Sequence, residues 1–116
     1  MEITVTIKKK TLVVSLSGEL DHHTAKDVKD LVEEVVKNRG VKNLVFDFSH
    51  LSFMDSSGIG VIIGRYKLIC SIGGSVAIAG ATRAVLRLIT MSGINKLINT
   101  YDSVDAALKT LQEDIS

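Results

Sequence analysis

Four consecutive residues, Asp55-Ser56-Ser57-Gly58, place two hydroxyls between a carboxylate and a backbone position without a side chain. Such a serine can attack as a nucleophile, cap a helix, or accept a group from another protein. A hydrolase nucleophile requires a G-x-S-x-G turn and a histidine base, but the residues two before these serines are Met54 and Asp55. The elbow motif is absent. His22, His23 and His50 could supply a base or, with Asp21, metal ligands, yet adjacent histidines are poorly placed to chelate one ion and no metal-ligand spacing is present. Gly58, Gly60 and Gly64 resemble a dinucleotide fingerprint only loosely, without the third glycine at its spacing or an acid for the ribose, and no Walker lysine loop exists. No metal, cofactor or catalytic activity is therefore expected.

Capping alone accounts for one serine. It does not account for the glycines at 58, 60 and 64, which each cost roughly 1 kcal/mol relative to alanine inside a helix and so suggest close approach of another backbone or ligand. A second chain fits that role. The residues themselves leave open a capped structural turn, a modifiable or ligand-contacting serine, and a nucleophile.

Periodicity defines the secondary structure around this stretch. Ile3, Val5 and Ile7, then Leu12, Val14 and Leu16, alternate with polar residues around a turn at Lys8 to Thr11, which predicts an antiparallel hairpin. Ala25, Val28, Leu31, Val32, Val35 and Val36 recur at helical spacing behind Thr24 as N-cap, and Asn38-Arg39-Gly40 ends that helix. "NLVFDF" reads as a strand, followed by a loop that leads to the serines. A second helix begins there, with Ile59, Ile62, Ile63, Tyr66 and Ile69 as its inner stripe and Gly73-Gly74 at its end. Cys70 neighbours that stripe and is expected to be a small buried hydrophobe. "SVAIA" is a further strand, Thr82 caps a third helix, and Val104, Ala107, Leu108 and Leu111 mark a fourth.

Two strand-helix-strand units after a hairpin imply parallel neighbours beside an antiparallel pair, so the class is α/β with a mixed four- to five-stranded sheet and about four helices. Partner and ligand sites in such sheets gather beyond the C-terminal ends of parallel strands, where the loop after "NLVFDF" delivers Asp55, Ser56 and Ser57 to a helix start.

The 116 residues are the size of one domain, spanning 1–116. A net charge of +1 lacks the basic excess of a nucleic-acid binder, and the apolar run from Gly58 to Gly64 stops at Arg65, far short of a membrane span. The opening residues alternate rather than forming a signal peptide, and the single cysteine fits a reducing compartment, so a cytosolic location is expected; the chain is also expected to be a monomer. Lys8 to Lys10 read as a solvated turn, and Arg83 with Arg87 lack the aromatic partners of a nucleic-acid surface.

"GELDHHT" at 18 to 24, "LSFMDSSGIGVIIGRYK" at 51 to 67 and "MSGI" at 91 to 94 together resemble the STAS-domain anti-sigma factor antagonists of sporulating bacteria. The resemblance covers almost the whole chain. It implies a single STAS domain that, unmodified, captures an anti-sigma factor serine kinase and releases a sporulation sigma factor. Phosphorylation of the serine after the aspartate of "MDSSG", Ser56 here, ends capture, and a PP2C-type phosphatase reverses it. It also implies that Asp21, His22 and His23 lie near the phosphorylation edge and contact the partner together with Asp55, Ser57, Gly58 and Gly60, Asp21 meeting a cation. Where relatives commonly carry serine-proline before the third helix, this chain reads Gly80-Ala81-Thr82-Arg83. A nucleotide-binding STAS module and an antagonist in a stress-response sigma pathway are the alternatives, and "GELDHHT" argues against the second.

Overall fold

A computed structural model describes residues 1–115, with side chains described through Leu111; Ser116, the end of the expected domain, lies outside the described residues. The chain runs β1 (Glu2–Lys8), β2 (Thr11–Leu20), α1 (Ala25–Arg39), β3 (Asn43–Met54), α2 (Ser56–Ser71), β4 (Val76–Ala79), α3 (Arg83–Ser92), a 3-10 turn at Ile94–Lys96, β5 (Asn99–Tyr101) and α4 (Val104–Ile115). The five strands form one sheet in sequence order, with β1 antiparallel to β2 and every later pair parallel. The expected mixed sheet and four α-helices are present.

Alternation in the strands separates two cores. Leu12, Val14, Leu44, Phe46 and Ile78 turn to the face covered by α1, α2 and α3, while Val13, Val45, Ala77 and Ala79 meet Ala107, Leu108 and Leu111 of α4. The hairpin turn is tighter than expected, because Lys8 already pairs with Thr11 and only Lys9 and Lys10 connect the strands. α1 ends as expected, with Gly40 in the left-handed region at φ 65°, which glycine adopts without steric cost.

Three expectations are corrected. No loop separates "NLVFDF" from the serines: β3 continues through Ser49 and His50 to Met54, paired with β2 across register shifts near Ser17 and Glu19. The backbone is carried by that pairing rather than by its apolar pattern. The inner face of α2 consists of Gly58, Val61, Ile62, Arg65 and Ile69, so Val61 and Arg65 replace part of the expected stripe, while Ile59, Ile63 and Tyr66 are only half-buried. Cys70 is exposed.

Arg65 is the unexpected member of that face. Its guanidinium is buried and forms an ion pair with Glu33 of α1 at 3.1 Å, tying together two helices that start beyond the C-terminal ends of β2 and β3. Among the described residues no helix is long and apolar enough to cross a membrane.

Candidate functional site

β2 and β3 are parallel and end side by side, with Leu20 paired to Met54. The two strands therefore release the chain at one place. After Leu20 the chain makes the turn 21–24 into α1, and after Met54 it passes through a single residue, Asp55, into α2. The Asp55 N–H donates to the Leu20 carbonyl at 3.2 Å, which fixes the two exits against each other.

Asp55 has extended backbone geometry and is the N-cap of α2. One carboxylate oxygen accepts the main-chain N–H groups of Ser57 at 2.8 Å and Gly58 at 3.4 Å, satisfying donors that a helix start leaves orphaned. Its other oxygen accepts the His22 N–H at 3.3 Å. Neither serine caps this helix, contrary to the capped-turn reading of the sequence. The Ser56 side chain is exposed and forms no hydrogen bond among the described residues, and Ser57 is half-buried with its main-chain N–H engaged.

Asp21 does for the neighbouring turn what Asp55 does for α2. Its Oδ1 accepts the main-chain N–H groups of His23 at 2.9 Å and Thr24 at 3.2 Å, and the Asp21 N–H donates to the Thr24 hydroxyl at 2.9 Å. Thr24 holds the N-cap position of α1 without a side-chain capping bond, so its hydroxyl serves the turn instead of the helix. Desolvation pushes the Asp21 carboxyl up, but the hydrogen bonds from His23 and Thr24 and the nearby His23 ring outweigh it and hold the carboxyl below its ordinary value. His22 and His23 are exposed, their rings edge to face at 5.7 Å. Among the described residues no cluster of His, Cys, Asp and Glu has metal-binding geometry.

The glycines divide. A Cβ on Gly58 lies 2.5 Å from Met54 Cγ and 3.0 Å from the Leu20 carbonyl oxygen, so Gly58 admits α2 onto the ends of β2 and β3. Its close approach is to this chain's own backbone, which corrects the expectation that another chain demands it. Around Gly60 and Gly64 nothing lies within 4 Å, leaving bare backbone on the outer side of α2.

Sequence reasoning left the apolar wall beside Ser56 without a role. Met54, Ile59, Leu88, Met91 and Ser92 line a groove of about 310 Å³ together with Asp55 and Ser56, and Met91 is 78% exposed. The "MSGI" segment, which carried part of the resemblance, thus ends α3 at the groove that holds Ser56. Its Gly93 adopts φ 84°, and the N–H returns to the Thr90 carbonyl at 3.2 Å. The three motifs that are far apart in sequence meet beyond the C-terminal ends of β2 and β3.

A family model described as the STAS domain matches residues 2–107. The chain belongs to the STAS-domain family. It is 42% identical over 112 residues to the anti-sigma F factor antagonist of Paenibacillus polymyxa, an alignment covering 97% of this chain and 96% of that one. Solved structures share the fold, two of them of the same protein in two states. The anti-sigma factor antagonist SpoIIAA in its unphosphorylated form matches with a TM-score of 0.74 at 23% identity, covering 96% of this chain and 98% of the other. The Bacillus cell fate determinant SpoIIAA in its phosphorylated form matches with 0.76 at 24% identity, covering 94% and 98%.

Proposed function

We propose that this STAS domain is an anti-sigma factor antagonist whose unphosphorylated form captures an anti-sigma factor serine kinase, releases a sporulation sigma factor, and is switched off by phosphorylation of Ser56. The likeness to the Paenibacillus antagonist over nearly the full length of both chains supports the class. The observation that carries the switch is local: Asp55 takes the capping role and leaves the Ser56 hydroxyl exposed and uncommitted on a rigid helix start.

In this reading the chain supplies an acceptor and no catalysis. The kinase brings ATP; Ser56 Oγ forms a bond to the γ-phosphorus, the bond from that phosphorus to the bridging oxygen breaks, ADP departs, and the hydroxyl proton passes to a kinase base. Adding about −1.5 to −2 charges takes the formal net charge of +1 to about −1. At the start of α2 the dipole and free N–H groups tolerate that charge. The neighbouring groove is mostly apolar and has no lysine or arginine among its lining residues, so a partner seated there desolvates the phosphate without compensation from this chain. Binding is lost while the fold stays. Asp21, with Oδ2 outside its own turn, meets a partner cation, and exposed His22 and His23, Ser57, Gly58 and bare Gly60 complete the contact. A PP2C-type phosphatase restores the capturing form.

Incubating the chain with an anti-sigma kinase and ATP, followed by intact mass and a binding titration, tests this. One added phosphate with loss of capture supports the switch; a chain that neither binds the kinase nor gains mass removes it. The nucleotide-binding alternative draws no support from a groove without a cation, and the 42% identity favours the sigma F side over a stress-response pathway.

A further inference from the structure

The sheet has two unequal edges. β5 is three residues long, whereas β1 presents seven residues, Glu2–Lys8, on a regular ladder to β2 with no bulge and no proline. Long regular edges are open templates for another strand. β1 also keeps apolar surface in solvent: Ile3, Val5 and Ile7 share the face of Leu16, Val14 and Leu12, and Val5 and Ile7 are 39% and 36% exposed.

The order Glu-Ile-Thr-Val-Thr-Ile-Lys is its own antiparallel complement. We propose that β1 pairs antiparallel with β1 of a second copy about a twofold axis that passes between the two Val5 residues, in place of the monomer expected from the sequence. That register sets Glu2 against Lys8 of the second copy, Ile3 against Ile7, Thr4 against Thr6 and Val5 against Val5. Like meets like on both faces, and opposite charges meet at both ends. The two exposed apolar rows join into one. Lysines at a sheet edge ordinarily oppose pairing, and Lys8 does so for a parallel partner, which brings Lys8 onto Lys8; only the antiparallel register converts it into an attraction.

The axis stands perpendicular to the sheet, so the helical faces stay on one side. β3 runs antiparallel to β1, and its counterpart therefore runs the opposite way in the joined sheet. Both Ser56 sites stay open, at opposite ends of a ten-stranded assembly. The inference thus stands apart from the proposed switch. One strand per copy buries little area, which makes the dimer reversible and dependent on concentration.

Sedimentation equilibrium of the full chain from about 10 μM to about 1 mM, the range of weak interfaces, tests this. The weight-average mass of the wild type rises from monomer toward dimer. Glu2→Lys and Lys8→Glu each weaken association by about tenfold, since each turns two attractions into two repulsions, and the double exchange restores it. Within one copy Glu2 faces Ser17 and Lys8 faces Thr11, so an effect confined to the monomer fold predicts no such rescue. A monomer at every concentration overturns the proposal, as does association unchanged by the single exchanges or left weak in the double exchange.

Discussion

The carboxylate of Asp55 holds the N–H of His22 across 33 positions of sequence, at 3.3 Å, while its other oxygen caps α2. One side chain therefore sets both the start of the helix that carries Ser56 and the position of the 21–24 turn. Replacing it by alanine costs about 1 kcal/mol of stability, the usual loss for an N-cap. It also releases the turn: amide exchange at His22 accelerates in Asp55→Ala and stays at its wild-type rate in Ser56→Ala. Equal protection of His22 in both variants uncouples the two loops.

The glycines of α2 separate packing from recognition. Gly58→Ala forces a methyl against Met54 and the Leu20 carbonyl and costs on the order of 1 to 3 kcal/mol through overpacking. Gly60→Ala meets open space and raises stability by up to about 1 kcal/mol, because glycine is the poorer helix former. If the partner rests on bare backbone there, the same methyl weakens capture while the melting temperature rises. Thermal melts with a kinase titration read both; undiminished capture by Gly60→Ala takes that surface out of the contact.

Asp21 gives a pH signature. Its folded carboxyl titrates below its ordinary value, so its contribution to stability is fully present above the unfolded pKa, near 3.8, and is lost as pH falls through the lower folded value. Asp21→Asn keeps an oxygen for the turn and deletes the charge, which flattens that part of the acid limb of a melting curve measured from about pH 5 to pH 2. In the proposed contact the same variant weakens kinase binding, because a charge-assisted bond to the partner's cation becomes a neutral one. Alanine is the poorer probe, because it also breaks the turn. An unaltered acid limb contradicts the hydrogen-bonded carboxylate, and unaltered affinity removes Asp21 from the contact.

What could be read from the sequence followed from unambiguous periods. The alternation in β1 and β2 has one apolar phase, and Gly40 and Thr82 are residue types whose chemistry ends and starts helices; all stand where expected. α2 was harder because "GIGVIIGRYKLIC" is apolar on most sides, so periodicity could not choose between Ile63 and Arg65 for the inner face or tell that Cys70 points out. An arginine is admitted inside by a partner on another helix, Glu33, which no local pattern announces. Ser49 and His50 looked like a loop because their side chains are solvated, although the β2 ladder, which takes up again at His50 after a register shift, keeps the backbone in the strand. The 21–24 turn and the start of α2 touch through the bond between the His22 N–H and Asp55, a contact between distant segments that no local pattern gives, and the groove wall from Leu88 to Ser92 likewise depends on how α3 packs.

The decisive prediction distinguishes the two serines. The Ser57 N–H, not its hydroxyl, serves the cap, so Ser57→Ala retains the helix start and still accepts one phosphate. Ser56→Ala accepts none and keeps partner binding. Ser56→Asp loses more than about 1.5 kcal/mol of affinity, because even one unpaired carboxylate must be desolvated against the partner. Its melting temperature moves little, since a negative group at a helix N-terminus is neutral or mildly stabilising. Peptide mass mapping after incubation with kinase and ATP, with titrations and melts of the three variants, checks each step. A phosphate mapped to Ser57, or full affinity in Ser56→Asp, refutes Ser56 as the switch. A large fall in the melting temperature of Ser56→Asp keeps the site but replaces interfacial electrostatics with unfolding of the helix start, and the Asp55 cap is the bond whose loss then has to be measured.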